Sequence, residues 1–152
     1  DGLKKLGDFW WKRFFANEYM QYDVAYPGAQ PYACRLFELG ATLVYLTGRD
    51  FPNMGEGTLA TMKRDGFPLE NDRVVPMLKP KASMDDKKFK EEAISKIASL
   101  GTLVASFENE PANLVAMQKT LPEALHVFVQ TISSDHACLP GKNLYKISGF
   151  TI

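Results

Sequence analysis

The sequence predicts an α/β fold in which a mostly parallel sheet lies between two layers of helices. Short apolar runs typical of buried parallel strands alternate along the chain with segments of helical periodicity. That alternation favours a parallel sheet with helices on both faces. The chain has 152 residues, and a chain of this size buries about 70% of its unfolded surface. We therefore expect one three-layer α/β/α domain.

An aromatic helix is predicted at residues 8–22. Asp8 is placed to cap its amino terminus, and aromatic side chains recur behind it near helical spacing. They are Phe9, Trp10, Phe14, Phe15 and Tyr19. A Tyr-Pro-Gly sequence then breaks the chain. A second helix is expected at 32–39, with Pro31 suited to its first turn and Gly40 to its end.

Strands and helices alternate through the rest of the chain. Uninterrupted apolar runs predict the strands, and capping residues, glycine and proline mark the helix ends. In chain order we expect a strand at 41–46, a helix at 58–63 closed by Gly66, a strand at 74–78, a helix at 85–100, a strand at 102–107, a helix at 111–120 and a strand at 124–129. Residues 144–152 are expected to add an edge strand.

Charge and cysteine content disfavour several classes of protein. The chain carries 18 basic and 18 acidic side chains, so no overall field attracts nucleic acid or an anionic membrane. No apolar run approaches the roughly 18 to 20 residues that span a bilayer. Cys34 and Cys138 lack the close spacing of a zinc site and are expected to be reduced thiols. We expect a soluble, cytoplasmic protein that binds neither nucleic acid nor membranes.

Thr47 and Gly48 follow the apolar run at 43–46. Ligands of open α/β sheets bind at the carboxyl ends of strands, and a hydroxyl beside backbone N–H groups there can form a small anion cradle. The alternative is an ordinary turn that ends the strand. Both interpretations are compatible with this segment.

Two carboxylates and an amide follow the strand at 102–107. Glu108, Asn109 and Glu110 offer the hard oxygen ligands that suit Mg²⁺, which usually binds one or two protein carboxylates and shares the oxygens of a phosphate. The alternative is helix capping, with Asn109 as the N-cap and Pro111 in the first turn. The two interpretations do not exclude each other.

Lys90 lies in a charged helical segment behind Asp85 and Asp86. A lysine in such a segment usually belongs to a solvated face, but its ammonium could also neutralise a phosphate or orient a carboxylate. Of the two histidines, His126 is expected to be a hydrogen-bonded core or edge residue of a strand. His136 follows Ser-Ser-Asp in a loop, an arrangement too local in sequence to predict a catalytic triad.

Four segments together resemble successive motifs of the haloacid dehalogenase (HAD) superfamily of phosphatases. They are Val44-Tyr45-Leu46-Thr47-Gly48-Arg49-Asp50, Leu78-Lys79-Pro80, Asp85-Asp86 to Lys90, and Phe107-Glu108-Asn109-Glu110-Pro111-Ala112-Asn113. The resemblance implies a Rossmann-like HAD core over residues 1–152. Residues 1–28 would then form a cap or connecting helical segment, and residues 29–152 the strands and helices of the core.

The resemblance also implies a Mg²⁺-dependent phosphatase that hydrolyses a small phosphomonoester through an aspartyl-phosphate intermediate. Thr47 would hydrogen-bond the phosphoryl group together with the Gly48 N–H. Lys90 would hold the phosphate and the nucleophile together, while Glu108 and Asn109 would lie next to Mg²⁺. Weaker candidates are Lys79 and Lys81 for the lysine role and Asn113 beside the metal.

The chain departs from the family pattern in two motifs. The fourth motif usually supplies aspartates, where this chain has Glu108 and Asn109. The first motif places Asp-x-Asp at the end of a central strand, as nucleophile and as general acid and base, and no such strand precedes Thr47. We therefore expect an upstream segment to complete the sheet and this chain alone to be inactive.

The alternative to an enzyme is a non-catalytic HAD-like module that binds a ligand or a partner. In the enzyme, substrate selectivity would come from the cap. Its candidate residues are the aromatic side chains of the first helix, which could equally be core residues: Trp10, Trp11, Phe14, Phe15 and Tyr19.

Overall fold

A computed structural model describes residues 2–131 and 141–150 of the chain. It confirms an α/β structure, and each strand pairing among the described residues is parallel. The chain divides into two compact units, Asp1–Asp86 and Lys87–Ile152. Each unit contains its own sheet. None of the described helices combines the length and the apolar character needed to cross a bilayer.

The first unit contains helices and a two-stranded sheet. Its elements are α1 (Gly2–Phe14), a 3₁₀ segment (Asn17–Tyr22), α2 (Ala29–Glu38), β1 (Leu43–Asp50), a π-helical turn (Phe51–Gly55), α3 (Glu56–Arg64) and β2 (Val74–Lys79). Strands β1 and β2 are parallel neighbours, with Leu43 opposite Val74. The helix predicted at 8–22 is thus two elements, and Asp8 lies inside α1 instead of capping it.

The 3₁₀ segment packs closely against α3. The Asn17 side chain accepts a hydrogen bond from the Gly57 N–H at 2.7 Å, and the Thr61 hydroxyl donates to the Met20 carbonyl at 2.8 Å. The Met20 side chain is buried beneath this contact. Gly57 permits the approach, because a Cβ there would overlap the backbone carbonyl oxygen of Asn17.

The second unit contains a three-stranded parallel sheet in the order β3-β4-β5. Its elements are α4 (Asp86–Leu100, whose first residue belongs to the first unit), β3 (Ala105–Glu108), α5 (Pro111–Thr120), β4 (Leu125–Val129) and β5 (Leu144–Ile147). One face of α4 is buried at helical spacing, through Phe89, Ala93, Ile94 and Ile97. The edge strand expected within 144–152 is confirmed as β5. Consecutive strands are neighbours, so their carboxyl ends lie along one edge of the sheet.

Candidate functional site

Thr47 and Gly48 lie inside β1, where the strand departs from its regular pairing with β2. The prediction that they follow the strand is wrong, because β1 continues to Asp50. Regular pairing stops at Leu46 and resumes at Asp50, and over this stretch β1 advances by four residues against two of β2. The extra residues form a bulge. Such bulges often lie next to active sites, where they change the direction of a side chain.

The Thr47 hydroxyl has capacity for a ligand. Its Oγ1 accepts a hydrogen bond from the Arg49 N–H at 3.3 Å. A threonine hydroxyl has one proton to donate as well as lone pairs to accept with, so this bond does not consume the donor. Thr47 and Gly48 are both half-buried. The bulge therefore presents a hydroxyl and irregular backbone that suit a phosphoryl oxygen.

A buried lysine and its carboxylate partner lie beside Gly48 within the first unit. A Cβ at Gly48 would be 3.8 Å from a carboxylate oxygen of Asp86. The same carboxylate pairs with Lys79 Nζ at 2.5 Å, and Lys79 also donates to the Met84 carbonyl at 3.3 Å. The Lys79 side chain is 11% exposed, whereas Lys81 is on the surface. Lys79, a weaker candidate in the sequence, is thus close to the Thr47-Gly48 bulge.

Lys90 and Glu108 form an ion pair in the second unit. Lys90 Nζ lies 3.3 Å from Glu108 Oε2, and the two side chains are only 18% and 16% exposed. The other carboxylate oxygen, Oε1, accepts the N–H groups of Asn109 and Glu110, each at 3.0 Å. Glu108 ends β3, so backbone and ammonium donors together fix the orientation of its carboxylate at the sheet edge. The structure brings together two of the predicted site residues here.

Asn109 is tied to the end of the neighbouring strand. Its side-chain Nδ2 donates to Thr131 Oγ1 at 3.0 Å, just beyond β4. The capping hypothesis placed Asn109 at the N-cap of α5, and this prediction is wrong. Glu110 occupies that position without a side-chain capping bond, and Pro111 lies in the first turn as predicted. Asn113 follows in the first turn, where its N–H donates to the Glu110 carbonyl at 3.1 Å.

The residues around Glu108 fit a magnesium ion that keeps much of its water. No group of three or more His, Cys, Asp or Glu side chains arranged to hold a metal is found within residues 2–131 and 141–150. Mg²⁺, however, is commonly bound by one or two carboxylates with waters and phosphate oxygens completing its shell. From the described residues, Glu108 Oε2 accepts a single hydrogen bond, and it has a second lone pair. The amide of Asn109 would supply a further hard oxygen.

His126 is a fully buried structural histidine, which confirms the prediction of a core residue. Its Nε2 lies 3.0 Å from the Leu121 carbonyl and its Nδ1 lies 2.8 Å from the Ser106 hydroxyl. A carbonyl can only accept, so Nε2 carries the proton and Nδ1 accepts from Ser106. The pair was not predicted, since residues 20 apart in sequence meet only because β3 and β4 are neighbours. His136 and Cys138 lie outside the described residues.

Of the five aromatic residues considered for a cap, Trp10, Trp11 and Phe14 lie in α1, whereas Phe15 and Tyr19 follow it in the chain. Trp10, Trp11 and Phe14 are about half exposed, so these three are not core residues of the first unit. Phe15 and Tyr19 are partly buried. Trp10 stacks on Phe14 with ring centroids 4.6 Å apart, and Trp11 lies 4.4 Å from the ring of Phe15. The rings therefore contact one another along the helix.

Comparison of the chain with protein-family models, with curated proteins and with solved structures found no match. The structure establishes a fold class, α/β with parallel sheets. A function must accordingly be argued from the chemistry of the residues that each unit brings together.

Proposed function

We propose that this chain is part of a HAD-type, Mg²⁺-dependent phosphatase that hydrolyses a small phosphomonoester through an aspartyl-phosphate intermediate, with a nucleophilic aspartate outside the four motifs named above attacking phosphorus and water then releasing phosphate. The observation that carries the proposal is the Lys90–Glu108 ion pair at the carboxyl end of β3. Ordinary helix lysines are solvated, and removing both charges from water is costly without compensation. A paired ammonium and carboxylate at the ligand-binding edge of a parallel sheet is suited to phosphate and Mg²⁺.

Each residue has a defined role in the proposal. Glu108 and Asn109 would hold Mg²⁺, which when bound offsets negative charge on the phosphoryl oxygens. Lys90 would donate to the phosphate, and it already fixes the carboxylate that receives the metal. In the first unit, Thr47 and the Gly48 N–H would have the role that the HAD resemblance implies for them, donation to phosphoryl oxygens.

A non-catalytic binding module is the second candidate, and the hydrogen bonding of Glu108 favours it. Both carboxylate oxygens have protein donors, from two backbone N–H groups and from Lys90. The Asn109 amide is likewise bonded to Thr131. A cluster satisfied in this way is stable without a ligand. It could serve as a fixed polar surface for a partner.

Hydrolysis of p-nitrophenyl phosphate, with Mg²⁺ and with EDTA, tests the proposal on protein produced from the complete reading frame. We expect metal-dependent turnover that falls about 10²- to 10³-fold in Lys90→Ala and in Thr47→Ala, the typical effect of removing one preorganised donor. Matched controls are Lys96→Ala, an exposed lysine of the same helix, and Thr120→Ala, an exposed threonine of α5. Both controls should retain full turnover.

The two candidate functions give different results in this experiment. Unchanged turnover in Lys90→Ala, with the protein folded by circular dichroism, would contradict the role of Lys90. Absence of turnover combined with Mg²⁺-dependent binding of inorganic phosphate, measured by calorimetry, would favour the binding module. Absence of both would exclude phosphate chemistry at these residues.

A further inference from the structure

Helix α1 exposes an unusual amount of apolar surface. None of its residues is buried. Six of its side chains are large and apolar and are between 49% and 87% exposed: Leu3, Leu6, Phe9, Trp10, Trp11 and Phe14. Apolar patches of this kind on a folded protein mark interaction sites. The exposed apolar face of α1 is therefore a candidate binding surface.

The exposed residues are arranged on one side of the helix. Leu3, Leu6, Trp10 and Phe14 recur at intervals of three and four residues, which places them on a single face. The opposite face carries Lys4, Lys5, Asp8 and Lys12. Arg13 lies at the border, with its guanidinium carbon 3.4 Å from the centroid of the Phe9 ring. The helix is thus strongly amphipathic, with an apolar, aromatic face and an opposite face rich in lysine.

The apolar surface continues beyond the helix into a groove. A cavity of about 760 Å³ lies between α1 and the 3₁₀ segment. Besides the helix residues it is lined by Tyr19 and Tyr22, whose rings are 6.2 Å apart. Tyr22 is 71% exposed. Tyrosine and tryptophan suit boundaries that are apolar on one side and wet on the other.

The net charge of α1 distinguishes between the possible binding partners of its apolar face. Its four basic residues against one acidic residue give it a net charge of 4 − 1 = +3. The zero net charge of the whole chain conceals this local excess. A second copy of α1 would bring two such helices together and incur repulsion between them. An anionic surface is instead complementary.

We propose that α1 binds the surface of an anionic lipid bilayer. The helix would lie in the plane of the membrane, with its aromatic face at the boundary between headgroups and acyl chains. The combination of Lys and Arg on one face with Trp, Phe and Leu on the other is that of interfacial helices. At 13 residues the helix is about 20 Å long, a length suited to a helix that lies along the membrane surface. This inference is independent of the phosphatase proposal.

Tryptophan fluorescence provides a direct test on the full chain. The only two tryptophans of the sequence, Trp10 and Trp11, are both in α1. Protein would be mixed with phosphatidylcholine vesicles and with mixed phosphatidylcholine–phosphatidylserine vesicles. We expect a blue shift of the emission and co-sedimentation with the mixed vesicles alone. Added salt should weaken the binding, because it screens charges at the membrane surface.

Charge-reversed variants test whether the lysines of α1, and not lysines elsewhere in the chain, are responsible for binding to the vesicles. Lys4→Glu combined with Lys5→Glu should weaken partitioning into the mixed vesicles by at least about 30-fold, from the usual contribution of each basic residue near an anionic surface. Lys88→Glu combined with Lys96→Glu makes the same charge change on exposed residues of α4 and should bind like the unchanged protein. Neither α1 lysine is buried, so the fold should be retained, which circular dichroism checks.

Three kinds of result would overturn the proposal. One is the absence of binding to the mixed vesicles, which would leave a protein partner as the occupant. Another is equal binding to both kinds of vesicle or equal binding by the Lys4 and Lys5 variant. The third is a blue shift that grows with protein concentration without lipid, which would identify a second copy of the chain as the occupant.

Discussion

Ser106 is important for the stability of the second unit because it completes the hydrogen bonding of a buried imidazole. We expect Ser106→Ala to lower the free energy of unfolding by about 1 to 3 kcal/mol, since it leaves His126 Nδ1 buried without its donor. Urea denaturation measures the change. Ser95→Ala is the control, because its hydroxyl bonds to the Glu91 carbonyl on the exposed side of α4. Equal effects of the two substitutions would contradict the importance of the His126 bond.

Tyr45 makes the free energy of unfolding depend on pH in the alkaline range. Burial, followed by the nearby Cys34, raises the pKa of Tyr45 to about 12, and its hydroxyl has no hydrogen-bond partner among the described residues. The folded state keeps this proton after the unfolded state, whose tyrosine pKa is about 10, has released it. Stability present below pH 10 should therefore be lost between about pH 10 and 12.

The substitution Tyr45→Phe isolates this effect. It should flatten the fall of the unfolding free energy with pH over that range, and it should cost little stability at neutral pH because no hydrogen bond is lost. Tyr22→Phe, at an exposed position, should leave the pH dependence unchanged. Identical pH profiles for the unchanged protein and for Tyr45→Phe would contradict the role of burial.

The chemistry of single residues was more predictable from the sequence than their partners were. Thr47, Lys90 and Glu108 were chosen as candidates because they stand next to apolar runs or in a helix between them. The bond from Lys90 to Glu108 depends on which face of α4 is turned inward, and that is decided by packing. The ion pair of Lys79 with Asp86 could not be predicted for the same reason, since Asp86 lies beyond an intervening loop.

Helix α3 depends on a glycine for its contact with the 3₁₀ segment. Gly57→Ala should destabilise the protein by about 1 to 3 kcal/mol, the usual cost of overpacking, because its Cβ would overlap the Asn17 carbonyl. Thermal unfolding checks this. Gly7→Ala is the matched control in another helix, with no atom within 4 Å of the added Cβ. It should be neutral or stabilising by up to about 1 kcal/mol, because alanine favours helix. A Gly57→Ala protein as stable as Gly7→Ala would refute the close contact.

Element types were predicted well, and several element ends to within one residue. The helix at 111–120 matches α5 at both ends, and the strand at 124–129 begins one residue before β4. The strand at 41–46 stops short of β1, because Thr47 and Gly48 resemble a turn in sequence while tertiary pairing carries the strand through a bulge. The helix at 8–22 failed because apolar periodicity continues across two elements that meet at residues 15–16.

At the scale of the whole molecule, the parallel character of the sheets followed from the alternation of strands and helices. The grouping of strands did not follow, because β1–β2 and β3–β4–β5 have similar apolar sequences and nothing local distinguishes their neighbours. The amphipathic face of α1 illustrates the same limit. Its periodicity predicted a helix, but the same pattern fits a core helix and an exposed one.

The pairing of consecutive strands affects when each sheet can fold during synthesis of the chain. Strands β1 and β2 are consecutive in the chain and pair with each other. The first sheet and the helices between its strands therefore require no residue beyond 79. Domains generally fold as units during synthesis, with amino-terminal segments first. The first sheet can therefore form while the ribosome is still adding the residues of the second.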